Sequence, residues 1–431
     1  MRLKAVINVV IICVLINIFS FKSTSADILG RERQFDKLSV TEGLSNDYIT
    51  TIFQDSKGYM WIGTHGLNRY DGEVVKTYNA DINSSNSLSS TYINVIVEDD
   101  FGNIWIGTDN GLDIIINNIY DVVRVKEYKN IKYNLGEVEI TAILNTSYEE
   151  NIMLVGTSNG LIKLNIETWE AEEFYNDEGD DNSLTNSYIT CLEEDLYNCI
   201  WVGTKNGINI IDKDFKIAYS QTKIYENKLF IYDIGSNSLG EMWISTKEGI
   251  IICHINNVES MQIVILSSDG VKLYSFDEDK IESILENQYI DIYNNSFIMS
   301  DSKDNMWISS SDGIKVYFRD IMEMVEFKKD IKIQNDLSSN VITCFYEDIN
   351  GVIWIGTDRG VNILTGNKQF NHTIRNDQGG GLLYDKDIMS ILQHGEQIWV
   401  ATKFNGIYIY NKVGDLITHL EKSDSEINLN D

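Results

Sequence analysis

The sequence Trp61-Ile-Gly-Thr64 is the main indication of how this protein folds, because the chain of 431 residues repeats it. Seven further copies follow, one of them with Leu in place of Trp: Trp105-Ile-Gly-Thr108, Leu154-Val-Gly-Thr157, Trp201-Val-Gly-Thr204, Trp243-Ile-Ser-Thr246, Trp307-Ile-Ser-Ser310, Trp354-Ile-Gly-Thr357 and Trp399-Val-Ala-Thr402. Successive copies lie 42 to 49 residues apart, except for one step of 64 residues that carries an insertion near 258–280. A period in the mid-forties built from strand-like units predicts a β-propeller.

Each copy divides into four predicted strands around this motif. A short apolar strand such as 48–53 and an Asp-x-x-Gly turn such as 55–58 precede the Trp strand. A tight turn ending in Gly leads to the third strand, and the fourth, such as 73–78, alternates charged and apolar residues like an exposed edge. Trp61 and Ile62 point to opposite faces and both need covering, which radially packed blades provide. The predicted fold is all-β, a β-propeller of seven to eight four-stranded antiparallel blades, with a repeat solenoid as the rival.

The closure of the ring is predicted from the N-terminal segment 32–40, which has the pattern of an outer strand without a blade of its own. Propellers often close when such a strand completes the last blade. It either completes a seventh blade, so that the copy at Trp399 begins a second propeller, or it completes an eighth blade. We therefore expect a seven-repeat propeller over 27–380 and an eighth repeat over 381–431. Gly63 is expected to make room for a side chain of the neighbouring blade.

The first 26 residues predict a secretory signal peptide. Arg2 and Lys4 precede a nearly uncharged apolar run over 5–21, and the small residues 23–26 suit cleavage after Ala26. An uncleaved anchor helix is the alternative, because the run is close to the lower length limit for crossing a bilayer. Either outcome places the rest of the chain outside the cytoplasm, as a secreted, periplasmic or cell-surface protein.

The charge and composition limit the classes of function. With 35 Lys and Arg against 65 Asp and Glu, the formal net charge is -30. Such a field repels phosphate backbones, so we expect no nucleic-acid partner. Hydrophobic residues make up 43% of the chain and aromatic residues 11%, which is enough to bury a core and argues against a disordered acidic tail. The chain has no proline, which excludes proline-rich recognition segments.

The cysteines and histidines predict neither a metal site nor a cofactor. Four cysteines follow the predicted signal peptide, and none forms a CxxC pair. Cys191 and Cys344 occupy one repeat position, which Thr51 and Val95 fill in the first two copies, so we interpret them as small core residues rather than disulfide partners. No HxxH or HExxH motif is present, and the acidic clusters lack the spacing of an EF-hand.

The first repeat carries a family resemblance. The stretch Leu44-Ser-Asn-Asp-Tyr-Ile-x-x-Ile-x-Gln-Asp55-x-x-Gly58-x-x-Trp-Ile-Gly-Thr64, followed by Gly66-Leu-Asn-Arg-Tyr-Asp-Gly72, is similar to the two-component regulator propeller repeat. The resemblance recurs in the eight copies and covers about 32–423. It implies an extracytoplasmic sensor and, as for several members of the family, an oligosaccharide ligand. It also implies an output through a histidine kinase, a response regulator or a diguanylate cyclase.

The sequence departs from the family plan in ways that bear on signalling. Members usually carry two seven-bladed propellers, a β-sandwich, a membrane span and an output domain, whereas eight repeats are present here. We therefore expect a sensor that lacks its own output domain and acts through a membrane sensor kinase or diguanylate cyclase partner. The first copy also has one residue fewer in the turn that follows Thr64.

The candidate ligand-binding residues lie in or beside the turns between the second and third strands. We expect these turns on the same face as the loops that lead from each fourth strand to the next blade. By analogy with other propellers, that face receives ligands at the central channel. Mixed charge and hydrogen-bonding capacity suit a polar ligand such as a sugar, and each residue alone also fits an ordinary solvated turn. The predicted residues are His65, Arg69, Asp109, Lys205, Asp358, Arg359 and Phe404.

The predicted function is ligand sensing by an extracytoplasmic propeller, and no catalytic residue is predicted. One alternative is a secreted scaffold that binds other proteins. The other is a carbohydrate-active propeller enzyme, because 65 acidic residues leave room for the pair of carboxylates that glycosidases use.

Overall fold

The structure is a computed structural model of the chain. It describes residues 35–420 except for 82–83, 85, 118–120, 129–134, 181, 225–226, 248, 256–260, 268–269, 276–279, 286–295, 321–322, 331–335, 365–387, 395–396, 404–405 and 412–415. The predicted signal peptide over 1–26 and Phe404 of the predicted site lie outside the described residues. Within the described part of the chain, no helix is both long and apolar enough to cross a membrane.

The first half of the chain forms four blades, each a four-stranded antiparallel sheet in sequential order. A strand β1 (Phe35–Leu38) and a 3-10 turn (Val40–Glu42) precede them, and a short helix α1 (Val125–Tyr128) follows blade two. Blade one contains β2 (Thr51–Gln54), β3 (Met60–Thr64), β4 (Gly66–Tyr70) and β5 (Val75–Tyr78). Blade two contains β6 (Ile93–Glu98), β7 (Ile104–Thr108), β8 (Gly111–Ile115) and β9 (Val122–Arg124). Blade three contains β10 (Ile140–Asn145), β11 (Ile152–Thr157), β12 (Gly160–Asn165) and β13 (Ala171–Phe174). Blade four contains β14 (Ile189–Glu194), β15 (Ile200–Thr204), β16 (Gly207–Ile211) and β17 (Ile217–Gln221).

A short hairpin, β18 (Lys223–Ile224) and β19 (Asn227–Lys228), leads to three more blades. Blade five contains β20 (Ile231–Ser236), β21 (Glu241–Thr246), β22 (Gly249–Ile255), β23 (Met261–Ser267), β24 (Gly270–Ser275) and β25 (Lys280–Leu285). The predicted insertion near 258–280 therefore extends this blade to a six-stranded sheet. Blade six contains β26 (Ile298–Ser300), β27 (Met306–Ser310), β28 (Gly313–Phe318) and β29 (Glu323–Phe327). Blade seven takes three strands from this part of the chain: β30 (Ile342–Glu347), β31 (Ile353–Thr357) and β32 (Gly360–Leu364).

The N-terminal strand β1 is the fourth strand of blade seven. It pairs antiparallel with β32, from Phe35 opposite Leu364 to Leu38 opposite Val361. The first strands of neighbouring blades contact one another from blade to blade, and β30 of blade seven contacts β2 of blade one. The described strands thus close a ring of seven blades, with the first strands innermost.

The eighth repeat belongs to a separate compact unit over Gly366–Asp431. Its four-stranded antiparallel sheet contains β33 (Ile388–His394), β34 (Gln397–Thr402), β35 (Ile407–Asn411) and β36 (Leu416–Leu420). The strand β1 pairs with blade seven and not with this sheet. The domain bounds at 380 and 381, and a second propeller beginning at this repeat, stay predictions.

Both faces of the second strands are buried, as the adjacent large apolar residues predict. Trp61 and Ile62 of β3 have no exposed surface. Trp61 packs in a cluster with Ile93 of blade two, whereas Ile62 packs in a cluster with Val361 of blade seven. Each blade therefore buries a separate apolar layer against each of its two neighbours, and this burial is the main force that holds the ring together.

The glycine of the repeat motif lies against the neighbouring blade, which confirms the expectation for Gly63. A Cβ added to Gly63 would approach Ile93 of blade two to 3.0 Å, and one added to Gly107 would approach Ile140 of blade three to 2.7 Å. Close packing leaves no room for such an atom without movement of a neighbour. The glycine allows the inner strands of adjacent blades to come this close.

The Asp residue that opens the turn before each of five Trp strands anchors the tryptophan. Asp55 Oδ2 accepts a hydrogen bond from Trp61 Nε1 at 2.7 Å, and Oδ1 accepts two backbone N–H groups of the turn. The same indole bond joins later pairs: Trp105 to Asp99, Trp201 to Asp195, Trp307 to Asp301 and Trp354 to Asp348. In blade five the turn carries Asn237 instead, and Trp243 donates to Glu241 at 3.4 Å. One carboxylate therefore shapes the turn and satisfies the buried indole N–H.

The interpretation of Cys191 and Cys344 as core residues is confirmed. Cys191 is buried in the apolar cluster between blades four and five, together with Cys253. Cys344 packs against the cluster between blades seven and one. The four cysteines of the described part are free thiols.

Candidate functional site

Five of the predicted ligand residues lie in turns on one face of the ring. His65 follows β3, Asp109 follows β7, Lys205 follows β15, and Asp358 and Arg359 follow β31. All of them except Asp358 are exposed. Because the second strands of a closed ring run in the same direction, these turns share a face. We call it the channel-mouth face.

Arg69 does not lie with these turn residues. It stands opposite Trp61 in β4, towards the end of the strand that is remote from the turn. Its guanidinium carbon is 4.4 Å from the centroid of the Tyr59 ring and 5.9 Å from that of Trp61. Tyr59 directly precedes β3, next to the Asp turn. This cation–π packing covers the opposite end of blade one, so the structure separates Arg69 from the other predicted residues.

Aromatic side chains surround the mouth of the central channel, and the sequence reasoning missed them. One residue directly precedes the buried Ile of each first strand. We call these seven the mouth residues: Tyr48, Tyr92, Glu139, Tyr188, Phe230, Phe297 and Val341. Five of the seven are aromatic. The sequence does contain a signal for these residues, because aligning the repeat copies on that Ile places the mouth residues in one column.

Backbone hydrogen bonds connect the predicted turn residues to the mouth residues. The turn residue donates its N–H and the mouth residue of the same blade accepts through its carbonyl. Such bonds, of 3.2 to 3.3 Å, join Asp109 to Tyr92, Lys205 to Tyr188 and Asp358 to Val341. His65 forms a β-bridge with Tyr92 across the step from blade one to blade two. Turn and mouth residues therefore form one continuous surface.

Around Tyr188 the mouth carries a polar cluster. The Tyr188 hydroxyl donates to Glu139 Oε2 at 2.8 Å, and Lys205 Nζ lies 3.3 Å from the centroid of the Tyr188 ring. Burial, together with the hydrogen bond to Glu139, raises the pKa of Tyr188 to about 12. The hydroxyl therefore stays protonated at neutral pH, and the predicted residue Lys205 contributes a cation against an aromatic face.

On the other side of the mouth, His65 and Asp358 flank two tyrosines. The rings of His65 and Tyr92 have centroids 5.5 Å apart. Burial raises the pKa of Tyr48, and the nearby Tyr92 and Asp358 raise it further. Both tyrosines keep much of their surface exposed, 40% for Tyr48 and 38% for Tyr92. The two predicted residues thus adjoin aromatic surface that is open to a ligand.

A cavity of about 370 Å³ opens at this mouth, and we call it the mouth cavity. Residues of blades six, seven, one and two line it, which places it at the axis of the ring. Its aromatic lining comes from Tyr48, Tyr92 and Phe297. Its polar lining consists of hydroxyl and amide groups, among them Thr50, Asn94, Ser309, Ser310, Asn340 and Thr343. None of the described lining residues is charged.

A second cavity of about 430 Å³ lies away from the axis, where blades three and four meet. We call it the side cavity. It is lined by the turn residue Asn159, by Glu173 and Tyr175 at the end of blade three, and by Ser187 before blade four. Unlike the mouth cavity, it includes a carboxylate.

The described residues include no group of three or more His, Cys, Asp or Glu side chains that could hold a metal ion. Two half-buried acids lie between blades. Glu193 Oε1 accepts from the Ser236 hydroxyl at 2.6 Å, and Asp233 Oδ2 accepts from the Ile298 N–H at 2.8 Å. Burial raises the pKa of each carboxyl to about 7. Their partners belong to the blade interfaces, which indicates a structural role.

Three copies of the repeat match a known family, described as two component regulator propeller, over 43–66, 87–110 and 336–359. These three copies resemble the two component regulator propeller repeat. The family resemblance predicted from the sequence is confirmed. No curated protein matches the chain in sequence.

Solved structures share the fold. The extracellular domain of a hybrid two component system from B. thetaiotaomicron matches with a TM-score of 0.57 and 20% identity, over 88% of this chain and 46% of that one. Streptogramin B lyase matches with a TM-score of 0.51 and 12% identity, over 77% of this chain and 97% of the lyase. PorZ, a surface component of the type-IX secretion system of Porphyromonas gingivalis, matches with a TM-score of 0.52 and 13% identity. The match covers 88% of this chain and 54% of PorZ.

These likenesses confirm the predicted β-propeller fold. The chain spans less than half the length of the B. thetaiotaomicron domain. An extracellular domain of a two component system, a lyase and a secretion component share the fold, so function has to be argued from the site.

Proposed function

We propose that the chain is the extracytoplasmic ligand-sensing propeller of a two-component-type signalling system. The ligand is an oligosaccharide or another polar molecule that binds at the channel-mouth face. The observation that carries this proposal is the mouth cavity, a concave site that combines aromatic surface with converging hydroxyl and amide groups. The two component regulator propeller repeats support the signalling context.

The predicted turn residues form the rim of the proposed site. His65, Asp109 and Asp358 adjoin the tyrosines of the mouth, and Lys205 lies against Tyr188. Their charged and hydrogen-bonding side chains would contact the parts of a ligand that extend out of the cavity. Aromatic surface in the cavity together with polar side chains at its rim suits a ligand with several linked polar rings.

A thermal-shift screen tests the proposal. The protein is secreted from the full chain, purified and heated with plant, host and bacterial oligosaccharides, with monosaccharides and calcium alongside. Because a bound ligand stabilises the folded state by mass action, an oligosaccharide that binds raises the melting temperature. The sugar recovered after incubation should be intact. A sugar that is cleaved would favour the enzyme alternative, and a screen without any shift would contradict the proposed ligand class.

A protein-binding scaffold is the second candidate function, and a specific observation favours it. Apolar side chains stand exposed at the tips of the Asp turns, on the face opposite the channel mouth. Their exposed fractions lie between 45% and 88% for Phe101, Leu196, Tyr197, Leu239 and Ile349. Exposed apolar groups that lie next to one another mark protein contacts more often than single ones do, and Leu196 and Leu239 lie in the turns of neighbouring blades. This face would also serve a sensor that passes its signal to a separate kinase or diguanylate cyclase.

The scaffold candidate is tested by co-purification from solubilised membranes. The wild type is compared with a double variant, Leu196→Ser with Leu239→Ser, in neighbouring turns. A membrane sensor protein that the wild type retains and the variant loses supports contact through this face. Retention by both proteins places the contact elsewhere.

A further inference from the structure

We propose that the mouth cavity binds the end of an uncharged oligosaccharide, with a sugar ring packed on Tyr48 and Tyr92. This inference rests on the proposed function. It adds the two side chains that contact the sugar and the class of sugar, a neutral saccharide rather than a uronate or a sulfated one.

The first argument is the absence of charge among the described lining residues. The formal charge of the chain is -30, yet its polar lining here consists of hydroxyl and amide groups. These groups both donate and accept hydrogen bonds, as sugar hydroxyls do. An anionic ligand would lose its hydration in the cavity without a cation to pair with, which costs free energy. Asp358 beside Tyr48 adds repulsion, and Arg359 is not part of the lining.

The second argument is the exposed aromatic surface. Tyr48 and Tyr92 lie side by side in a concave site and keep 40% and 38% of their surface exposed. An aromatic face carries negative potential, which attracts the polarised C–H groups of a sugar ring. His65 contacts the Tyr92 ring and helps to fix its orientation before a ligand arrives. Such preorganisation lowers the entropy that binding would otherwise cost.

The size of the mouth cavity limits how much of the ligand enters. Small-molecule sites span roughly 300–1,000 Å³, and the mouth cavity, at about 370 Å³, lies near the lower limit. It therefore takes the end of an oligosaccharide, while the following units lie along the rim.

The test uses four trisaccharides as probes: the neutral cellotriose, xylotriose and mannotriose, and the acidic trigalacturonic acid. Binding to the secreted protein is measured by thermal shift and by calorimetry. Tyr92→Ala removes the ring, Tyr92→Phe keeps the ring without its hydroxyl, and Tyr48→Ala removes the second ring. Tyr175→Ala in the side cavity is the matched control, because Tyr175 is also exposed. The melting temperature of each variant without ligand reports whether it folds.

We expect at least one neutral trisaccharide to bind the wild type and Tyr175→Ala equally well. Tyr92→Ala and Tyr48→Ala should each weaken that binding about tenfold or more, the loss typical of a central aromatic contact. Tyr92→Phe should stay within about threefold of the wild type, because the stacking surface remains.

Two outcomes would overturn the inference and leave the proposed function standing. One is binding of a neutral sugar that Tyr175→Ala weakens and the Tyr92 and Tyr48 variants do not. The other is binding of trigalacturonic acid alone. If none of the four probes bound, the inference and the proposed ligand class would both fail.

Discussion

Single side chains set the spacing and the chemistry of the blade interfaces. The motif glycine permits close approach of the next blade, and the motif tryptophan fills the space beside it. At the interface of blades four and five, a half-buried carboxyl adds polar contacts: Glu193 accepts hydrogen bonds from the N–H and the hydroxyl of Ser236. Single substitutions test what each of these side chains contributes to stability.

Gly107→Ala should destabilise the ring by about 1–3 kcal/mol, the usual cost of overpacking a core. Its Cβ would lie 2.6 Å from Val95 Cγ1 and 2.7 Å from Ile140 Cγ2. Gly179→Ala is the control, because a Cβ there would meet nothing closer than 3.4 Å, at Asp177. Denaturant unfolding measures both variants. Equal stability of the two would show that the interface yields to the added methyl group.

Glu193→Gln should reduce the dependence of stability on pH. Burial raises the pKa of Glu193 from its ordinary 4.5 to about 7, so the folded state holds the proton more tightly than the unfolded state. The stabilisation from this group is complete below about pH 4.5 and is lost as the pH rises through 7. Glutamine keeps both hydrogen bonds to Ser236, because both reach Oε1.

Melting temperatures at pH 5 and pH 8 measure this effect. The wild type should lose more stability between the two values than Glu193→Gln does. The exposed substitution Glu172→Gln, on the outer strand of blade three, is the control and should follow the wild type. An unchanged pH dependence in Glu193→Gln would contradict the proposed role of its burial. Asp233 remains in the variant, so part of the dependence is expected to persist.

At the scale of the element, each blade is organised around a hairpin, in which an Asp turn joins the first strand to the second. The turn carboxylate binds the backbone of its own turn and the indole of the following strand, so it ties local conformation to the core. Blade five shows what happens when the residue changes: Asn237 leaves the Trp243 indole to a longer bond with Glu241. The residue at this turn position therefore determines how the indole N–H of that blade is hydrogen-bonded.

Asp99→Ala should lower the free energy of unfolding by about 1–3 kcal/mol, because it leaves a buried donor without its partner. The variant deprives the Trp105 indole and two backbone N–H groups of their acceptor. Asp109→Ala, in an exposed turn of the same blade, should stay within about 0.5 kcal/mol of the wild type. Urea unfolding followed by tryptophan fluorescence compares the two. Similar losses in both would show that the indole bond contributes little.

At the scale of the whole molecule, closure depends on a contact between distant parts of the chain. The strand β1 pairs with residues more than 300 positions away. Phe35 packs in the cluster between blades six and seven, and Leu38 packs in the cluster between blades seven and one. One short strand therefore contributes side chains to both interfaces of blade seven.

Leu38→Ala should destabilise the ring by about 2–5 kcal/mol, as large-to-small changes in a core do. Leu38 is 3% exposed, whereas Val40, two residues later, is 48% exposed and makes Val40→Ala the matched control. Thermal unfolding should show a clearly lower melting temperature for Leu38→Ala and little change for Val40→Ala. A ring that tolerated both substitutions would not depend on β1 for its closure.

Much of the fold was predictable because its determinants are local. The Asp turn, the Trp strand and the glycine turn recur within about fifty residues, and their roles follow from turn chemistry and strand periodicity. The site was less predictable. The turns that carry His65, Asp109 and Lys205 were placed correctly on one face, whereas Arg69 lies at the other end of its blade. The position of Arg69 depends on strand register, which turn patterns do not specify.

The class of the fold, the repeat unit and the residues buried within each blade follow from short-range patterns in the sequence. The structure was needed to show that β1 completes blade seven and that Tyr48, Tyr92 and Phe297 meet around one cavity. Both features are properties of a closed ring. Residues from blades that are far apart in sequence become neighbours only when all seven interfaces are buried together.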